Sequence, residues 1–248
     1  MIVYGREEPV DVLVVGAHPD DVEIFMGGTI ALLASRGRRV GLVDLTVGEK
    51  GSRGTPEQRL EESRAAAEVL GAAFRVNLEQ PDGDIATTRE ARRAMIRLIR
   101  TVQPALVFSH NTRDPHPDHA ASHHLVKAGC HNAGLGKMEP DVPPHRPKYF
   151  FSFSQPHRVV PSFLVDIGAH WETKMASIRC HQSQVAPRQP GEPQTYLGQH
   201  SFLQILEAHF WCYGALVGAQ FAEAFCSDSL LLVEDPLAAF GQKQGRLL

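Results

Sequence analysis

The run VDVLVVG, residues 10–16, is apolar but for Asp11 and too short for a helix, so it reads as a buried strand. The polar cluster AHPDD, residues 17–21, follows at once. The same succession recurs. Arg38–Thr46 (RRVGLVDLT), FRVNL and ALVFSH read as further strands, each trailed by a polar loop. Helical patterns separate them. Gly27-Gly28-Thr29 opens one helix through about Arg36, and a third runs from about Arg89 to Gln103. The one between starts at Thr55-Pro56-Glu57-Gln58, with a hydroxyl cap, proline in the first turn and glutamine three residues on, and it stops at Gly71. Strand, loop and helix in alternation predict βαβ units with right-handed crossovers. The expected fold class is α/β, a Rossmann-like three-layer sandwich with a mostly parallel sheet.

Beyond residue 135 the pattern is weaker. Pro140 to Pro147 reads as a proline-rich loop, RPKYFFSF and VVPSFLVDI as strands, and Ala169–His181 and Phe202–Phe225 as helices, with Leu203–Phe225 a core helix. APRQPGEPQTYLGQ reads as a long irregular, substrate-facing loop. No repeat or shift in composition divides the chain, which predicts one domain over residues 1–248.

Charge narrows the partners. With 25 Lys+Arg against 28 Asp+Glu there is no electrostatic case for nucleic acid or an anionic membrane, and a small-molecule substrate fits better. Cys130, Cys180, Cys212 and Cys226 form no C-x-x-C pair and read as reduced residues of a cytoplasmic protein. MIVYGREEPV lacks the features of a signal peptide, and no apolar run is long enough to span a membrane. The 13 histidines matter because imidazole is the commonest metal ligand and the usual acid or base near neutral pH.

In an open parallel sheet, ligands bind beyond the carboxyl ends of the strands. AHPDD is one loop at that edge and NTRDPHPDH, residues 111–119, is another. If a helix begins at HPDH, His116 and His119 lie near one face, and Pro117 is tolerated in its first turn. Three protein ligands with an open fourth position is the pattern of a catalytic zinc site. The residues assign His18, Asp21 and one histidine of HPDH as ligands, and leave Asp20 as a free base. Zinc lowers the pKa of its water towards about 7 and polarises a carbonyl, so this arrangement describes hydrolysis of an amide or ester.

Each motif taken singly has a plainer explanation. HPDD can be an Asx-turn with an N-capping aspartate, and HPDH reads similarly. Their occurrence together after two strands of one sheet is harder to explain structurally, because it crowds histidines and acids at the usual ligand edge. His110, His123, His124, His131, His157, His170 and His209 are read as ordinary surface or core residues. EARRAMIRLIR is read as a solvated helix face.

The segments AHPDDVEIFMGGTIALLASRG, LVDLTVGEKGSRGT, RLEESRAAAEVLG, FSHNTRDPHPDH, CHQSQV and AQFAEAF together resemble the LmbE-like (PIG-L) zinc deacetylases. Within them, DVEIFMGGTIA, the LT-x-GEKGS-x-GT loop, HRPKYFF and SFLVDI resemble the N-acetylglucosaminyl-malate deacetylases of bacillithiol biosynthesis. The resemblance implies Zn2+ bound by His18, Asp21 and His119, with Asp20 as general base. It implies that His116 stabilises the oxyanion and helps protonate the leaving amine, and that Asp118 orients a histidine. Arg59 is implied near the acetyl group, and Arg53 and Arg113 are candidates for the malate carboxylates. Pro115 stands before His116 where some of these relatives carry arginine, with Arg113 two residues earlier. The resemblance also implies a homo-oligomer. Rival readings keep the metal and change the substrate to another N-acetylglucosamine derivative or a thiol conjugate, replace zinc chemistry with that of an iron oxygenase, or leave a non-catalytic sugar-binding module.

Overall fold

The computed structural model describes residues 2–153, 159–188 and 190–241. Its strands are β1 (Ile2–Gly5), β2 (Val12–Gly16), β3 (Val40–Asp44), β4 (Phe74–Asn77), β5 (Leu106–Ser109), β6 (Tyr149–Phe153), β7 (Phe163–Asp166) and β8 (Ala222–Ser227). They form one sheet in the order β1-β4-β3-β2-β5-β6-β8-β7. The pairs β2–β3, β3–β4, β2–β5 and β5–β6 are parallel. The outer pairs, β1–β4, β6–β8 and β7–β8, are antiparallel. The expected α/β class with a mostly parallel sheet is thus what the chain adopts.

The helices are α1 (Asp21–Ser35), α2 (Pro56–Leu70), α3 (Arg89–Val102), α4 (Pro117–Ala133), α5 (Trp171–Cys180), α6 (Gln182–Val185), α7 (Phe202–Val217) and α8 (Pro236–Phe240). β2 and β3 are buried along their whole length because both sheet faces are covered. Leu13 and Val15 pack with Met95, Ile99 and Val126 of α3 and α4. Val12 and Val14 face Met26, Ile30 and Leu70 of α1 and α2 on the other side. α5 packs against α1 and α2.

Four expectations require correction. β1 lies in a stretch for which the apolar pattern gives no strand; it adds to the sheet edge by antiparallel pairing with β4. α1 begins at Asp21 rather than at Gly27, so the aspartates of AHPDD cap and open the helix. The predicted helix Phe202–Phe225 ends at Gly218, whose left-handed backbone (φ 73) terminates α7, and Ala222–Ser227 is strand β8. α7 is also half on the surface, with Trp211 and Leu216 exposed. Arg100, in the helix expected to present a solvated arginine face, is buried and donates to the carbonyls of Ala133, Leu135, Glu139 and Val142. His157 lies outside the described residues.

Strand order reverses direction between β2 and β5: β3 and β4 lie on one side of β2, and β5 and β6 on the other. The loops after β2 and β5 therefore flank a switch point of the sheet, where a crevice forms at the strands' carboxyl ends. Among the described residues, no helix is long and apolar enough to cross a membrane.

Candidate metal centre

AHPDD leaves β2 and enters α1 within a few residues, so its side chains stay at the sheet edge. Asp20, at the N-cap of α1, has a backbone φ of 123°, a conformation rare for a residue with a Cβ. On the facing loop, His116 caps α4 through Nδ1, which accepts the N–H of Asp118 at 3.2 Å, and Pro117 fills the first turn. One helical turn then brings His119 onto the inner face.

Asp21 joins the two loops. Its Oδ1 lies 3.2 Å from His119 Nε2, and its Oδ2 lies 3.5 Å from His18 Nδ1. Ligand-capable atoms of His18, His116 and His119 all lie within 4.8 Å of one another, as do those of Asp21, His110 and His119.

Each outer nitrogen of the two candidate ligand histidines meets a carboxylate. His18 Nε2 lies 3.1 Å from Asp118 Oδ2 and 3.2 Å from Asp82 Oδ1. His119 Nδ1 lies 3.0 Å from Asp114 Oδ2. Such partners hold the proton on the outer nitrogen and leave the inner one, His18 Nδ1 or His119 Nε2, with its lone pair free for a metal on the side of Asp21. Two imidazole nitrogens and one carboxylate oxygen make a donor set that zinc accepts.

The charge balance argues the same way. Asp20, Asp21, Asp82, Asp114 and Asp118 crowd one site, and the permanent cation buried against it is Arg59. Without a metal, the imidazoles take up protons in compensation. Burial alone lowers the pKa of His18, but Asp21 and Asp82 outweigh it and lift the group to about 11. His119 is likewise lifted to about 9, against burial, by Asp21 and Asp114. Burial works against ionisation of Asp21, yet His119 and His110 hold it well below the usual carboxylate range. Asp20 differs. Burial raises it to about 6, with Arg59 pulling down and Asp21 pushing up, so it is poised to exchange a proton near neutrality.

Arg59 is buried, and its Nη2 donates to Pro19 O at 2.9 Å and lies 3.4 Å from Asp20 Oδ2. Nη1 donates to Gly48 O. Gly48 has φ 71, and a Cβ there would collide with Arg59 Nη1, so the loop after β3 can close on the guanidinium only with glycine. Arg59 thus holds the Pro19 backbone and the Asp20 carboxylate. Arg53 instead ties down the loop after α6: it donates to Ala186 O and Gln184 O and pairs with Glu192 at 3.1 Å. The long loop expected to face substrate therefore rests on Arg53, over a hollow of about 440 Å³ that Arg53 and Glu192 both line. Arg113 is exposed, on the loop between β5 and α4, and its backbone N–H donates to Asn111 Oδ1.

His110, an ordinary residue by its place in the sequence, is fully buried inside the cluster. Its Nε2 is 3.1 Å from Asp21 Oδ2 and its ring is stacked on His119 at 3.8 Å between centroids. Two further acids join without a sequence signature of their own. Asp82 comes from the turn PDGD, and Asp114 from the loop that holds HPDH; proximity to that motif is the one signal available for Asp114. Asp118 turns its carboxylate to His18 and also accepts the N–H of Gly83 at 2.7 Å, which fixes the β4–α3 loop beside the site.

A family model described as PIG-L, GlcNAc-PI de-N-acetylase, matches residues 13–130. The diacetylchitobiose deacetylase of Thermococcus kodakarensis is 31% identical over 188 residues, covering 70% of this chain and 69% of the relative. A 4-oxalmesaconate hydratase of Pseudomonas putida is 31% identical over 189 residues, covering 69% of this chain and 73% of the relative. The crystal structure of a conserved protein from Thermus thermophilus is similar at a TM-score of 0.82 with 36% identity, over 91% of this chain and 98% of that one.

Proposed function

The chain belongs to the PIG-L family, and from that premise we propose that it is a zinc-dependent N-deacetylase that removes the acetyl group of an N-acetylated amino sugar. The observation that carries this reading is Asp21 set between His18 and His119, with Asp20 beside it under the guanidinium of Arg59. His18, Asp21 and His119 would hold the zinc, which would supply Lewis acidity when bound. The protein's own groups do the rest. Asp20 accepts a proton from the attacking water and returns it to the departing nitrogen, which balances the hydrolysis of amide and water to amine and acetate. His116 Nδ1 accepts a backbone N–H, so the neutral ring carries its proton on Nε2 and can donate to the developing oxyanion. That geometry favours oxyanion stabilisation over proton delivery for His116.

For the substrate we propose N-acetylglucosaminyl-malate. The exposed cations Arg113 and Lys50 support an acidic aglycone, since they lie on two of the loops that build the site. Related sugars are the alternatives: diacetylchitobiose and the inositol-linked acetamido-glucopyranoside are named for relatives of this chain. A second reading, addition of water to an unsaturated acid, is favoured by the likeness to the hydratase.

Acetate release from these three sugars, from N-acetylglucosamine and from an S-conjugate, alongside hydration of 4-oxalmesaconate, tests the reading. Turnover of the malate-linked sugar at least tenfold above the others supports the proposal. Preference for another sugar moves the substrate, and hydration without acetate release overturns the deacetylase.

A further inference from the structure

Six ionisable side chains, Glu23, Asp44, Arg75, Lys174, His181 and Glu223, are fully buried beside the first two turns of α1. Three of them belong to segments of the sequence that the site leaves unused: His181 to CHQSQV, Glu223 to AQFAEAF and Glu23 to the residues after AHPDD. Burying so many charges is costly, and well-packed apolar groups can serve stability as well or better. Their arrangement points to something other than stability.

Most of their contacts converge on residues 23–29. Arg75 pairs with Asp44 through two bonds of 2.7 Å and also binds the Glu23 carboxylate, whose other oxygen lies 3.3 Å from His181 Nε2. Lys174 Nζ donates to the carbonyls of Glu23 (3.0 Å) and Ile24 (2.7 Å) and to Glu223 Oε1 (2.7 Å). Glu223 in turn accepts the N–H groups of Gly28 (2.9 Å) and Thr29 (2.7 Å). In the helix those N–H groups also point to the carbonyls of Ile24 and Phe25. The Lys174–Glu223 pair therefore stands at both ends of the Ile24–Gly28 step, with ammonium on the carbonyl and carboxylate on the N–H. α1 runs unbroken from Asp21 to Ser35, so the pair braces this step without interrupting the helix, and a step held at both its carbonyl and its N–H side fixes the direction of the turn that precedes it.

That preceding turn carries Asp20 and Asp21. Asp20 keeps a φ of 123°, and such a backbone persists only where its surroundings over-determine it. We infer that Lys174 and Glu223, backed by the Arg75–Glu23 pair, are positioning residues that hold the first turn of α1 so that Asp20 and Asp21 meet the metal and the substrate correctly. This inference rests on the roles given above to those two aspartates.

The test is the double variant Lys174→Met/Glu223→Gln, which removes both charges and leaves no unpaired ion buried. Zinc affinity is measured by chelator competition, and kcat and KM for acetate release at matched zinc occupancy. The expected result is a folded protein that binds zinc at least tenfold more weakly and turns over at least tenfold more slowly with little change in KM. A merely structural pair would lower the melting temperature and leave zinc affinity and kcat of the folded protein unmoved, which overturns the inference. If the double variant does not fold, Lys174→Arg keeps the charge but cannot place one nitrogen on both carbonyls and Glu223. It should show the same losses at several-fold size, and wild-type values for both quantities overturn the inference. The wild type separates the two claims: failure to bind zinc or release acetate there contradicts the proposed function itself.

Discussion

Asp118 Oδ2 lies 3.1 Å from His18 Nε2, across 100 residues of sequence, and with Asp82 it determines which nitrogen of His18 faces Asp21. A partner of this kind fixes the ring and raises its basicity as a ligand. We predict that Asp118→Asn keeps the fold and weakens zinc binding by about 10–100-fold. Titration of the metal-free protein with zinc against a chelator checks this, and an unchanged affinity would remove Asp118 from the ligand's support.

Arg59 acts on Asp20, the proposed base. Burial pushes Asp20 up to about 6, and the guanidinium is the strongest of the groups that oppose a further rise, ahead of His181 and His18. Removing it makes the carboxylate a stronger base that holds its proton to higher pH. In Arg59→Met the acidic limb of the kcat/KM profile should therefore move to higher pH, with activity lost at about pH 6–7 and partly recovered above it. An acidic limb that stays in place while activity falls would show that Arg59 serves the substrate rather than Asp20.

Much of this is legible in the sequence. Thr55 caps α2 by accepting the N–H of Gln58, as the spacing Thr-Pro-Glu-Gln implies, and HPDH opens α4 with His116 as cap. Local chemistry decides such features. What escapes depends on distant chain. β8 is hidden because AEAF continues an apolar helical run, and its Glu223 is buried only because Lys174 and two N–H groups of α1 meet it there. The start of α1 is misplaced because glycines usually mark a boundary, whereas here they lie inside the helix. Asp82 joins the site from the β4–α3 loop, which no spacing along the chain predicts, whereas His110 stands just after β5, at the head of the loop that holds HPDH.

Gly48 tests the closure of the β3 loop on Arg59. Alanine there meets both a positive φ and a clash with the guanidinium. We predict a loss of about 1–3 kcal/mol in stability, read by denaturant unfolding, together with reduced activity. Full stability with full activity would mean that the loop is free to move off Arg59.

The cysteines offer a check on the core. Burial pushes the Cys130 thiol up to about 12, whereas Cys212 is exposed on α7. Since the thiolate is the reactive form, iodoacetamide at about pH 8 should label Cys212 within minutes and Cys130 only after unfolding, as read by mass spectrometry. Equal labelling of both in the folded protein would contradict the packing between α3 and α4.

Asp20 as the base of a zinc-dependent deacetylation is open to direct measurement. We would measure acetate release from N-acetylglucosaminyl-malate by wild type and Asp20→Ala at matched zinc content. We expect full zinc retention in the variant with kcat lower by about 10²–10⁴-fold, the usual contribution of a general base. Undiminished turnover by Asp20→Ala would contradict it.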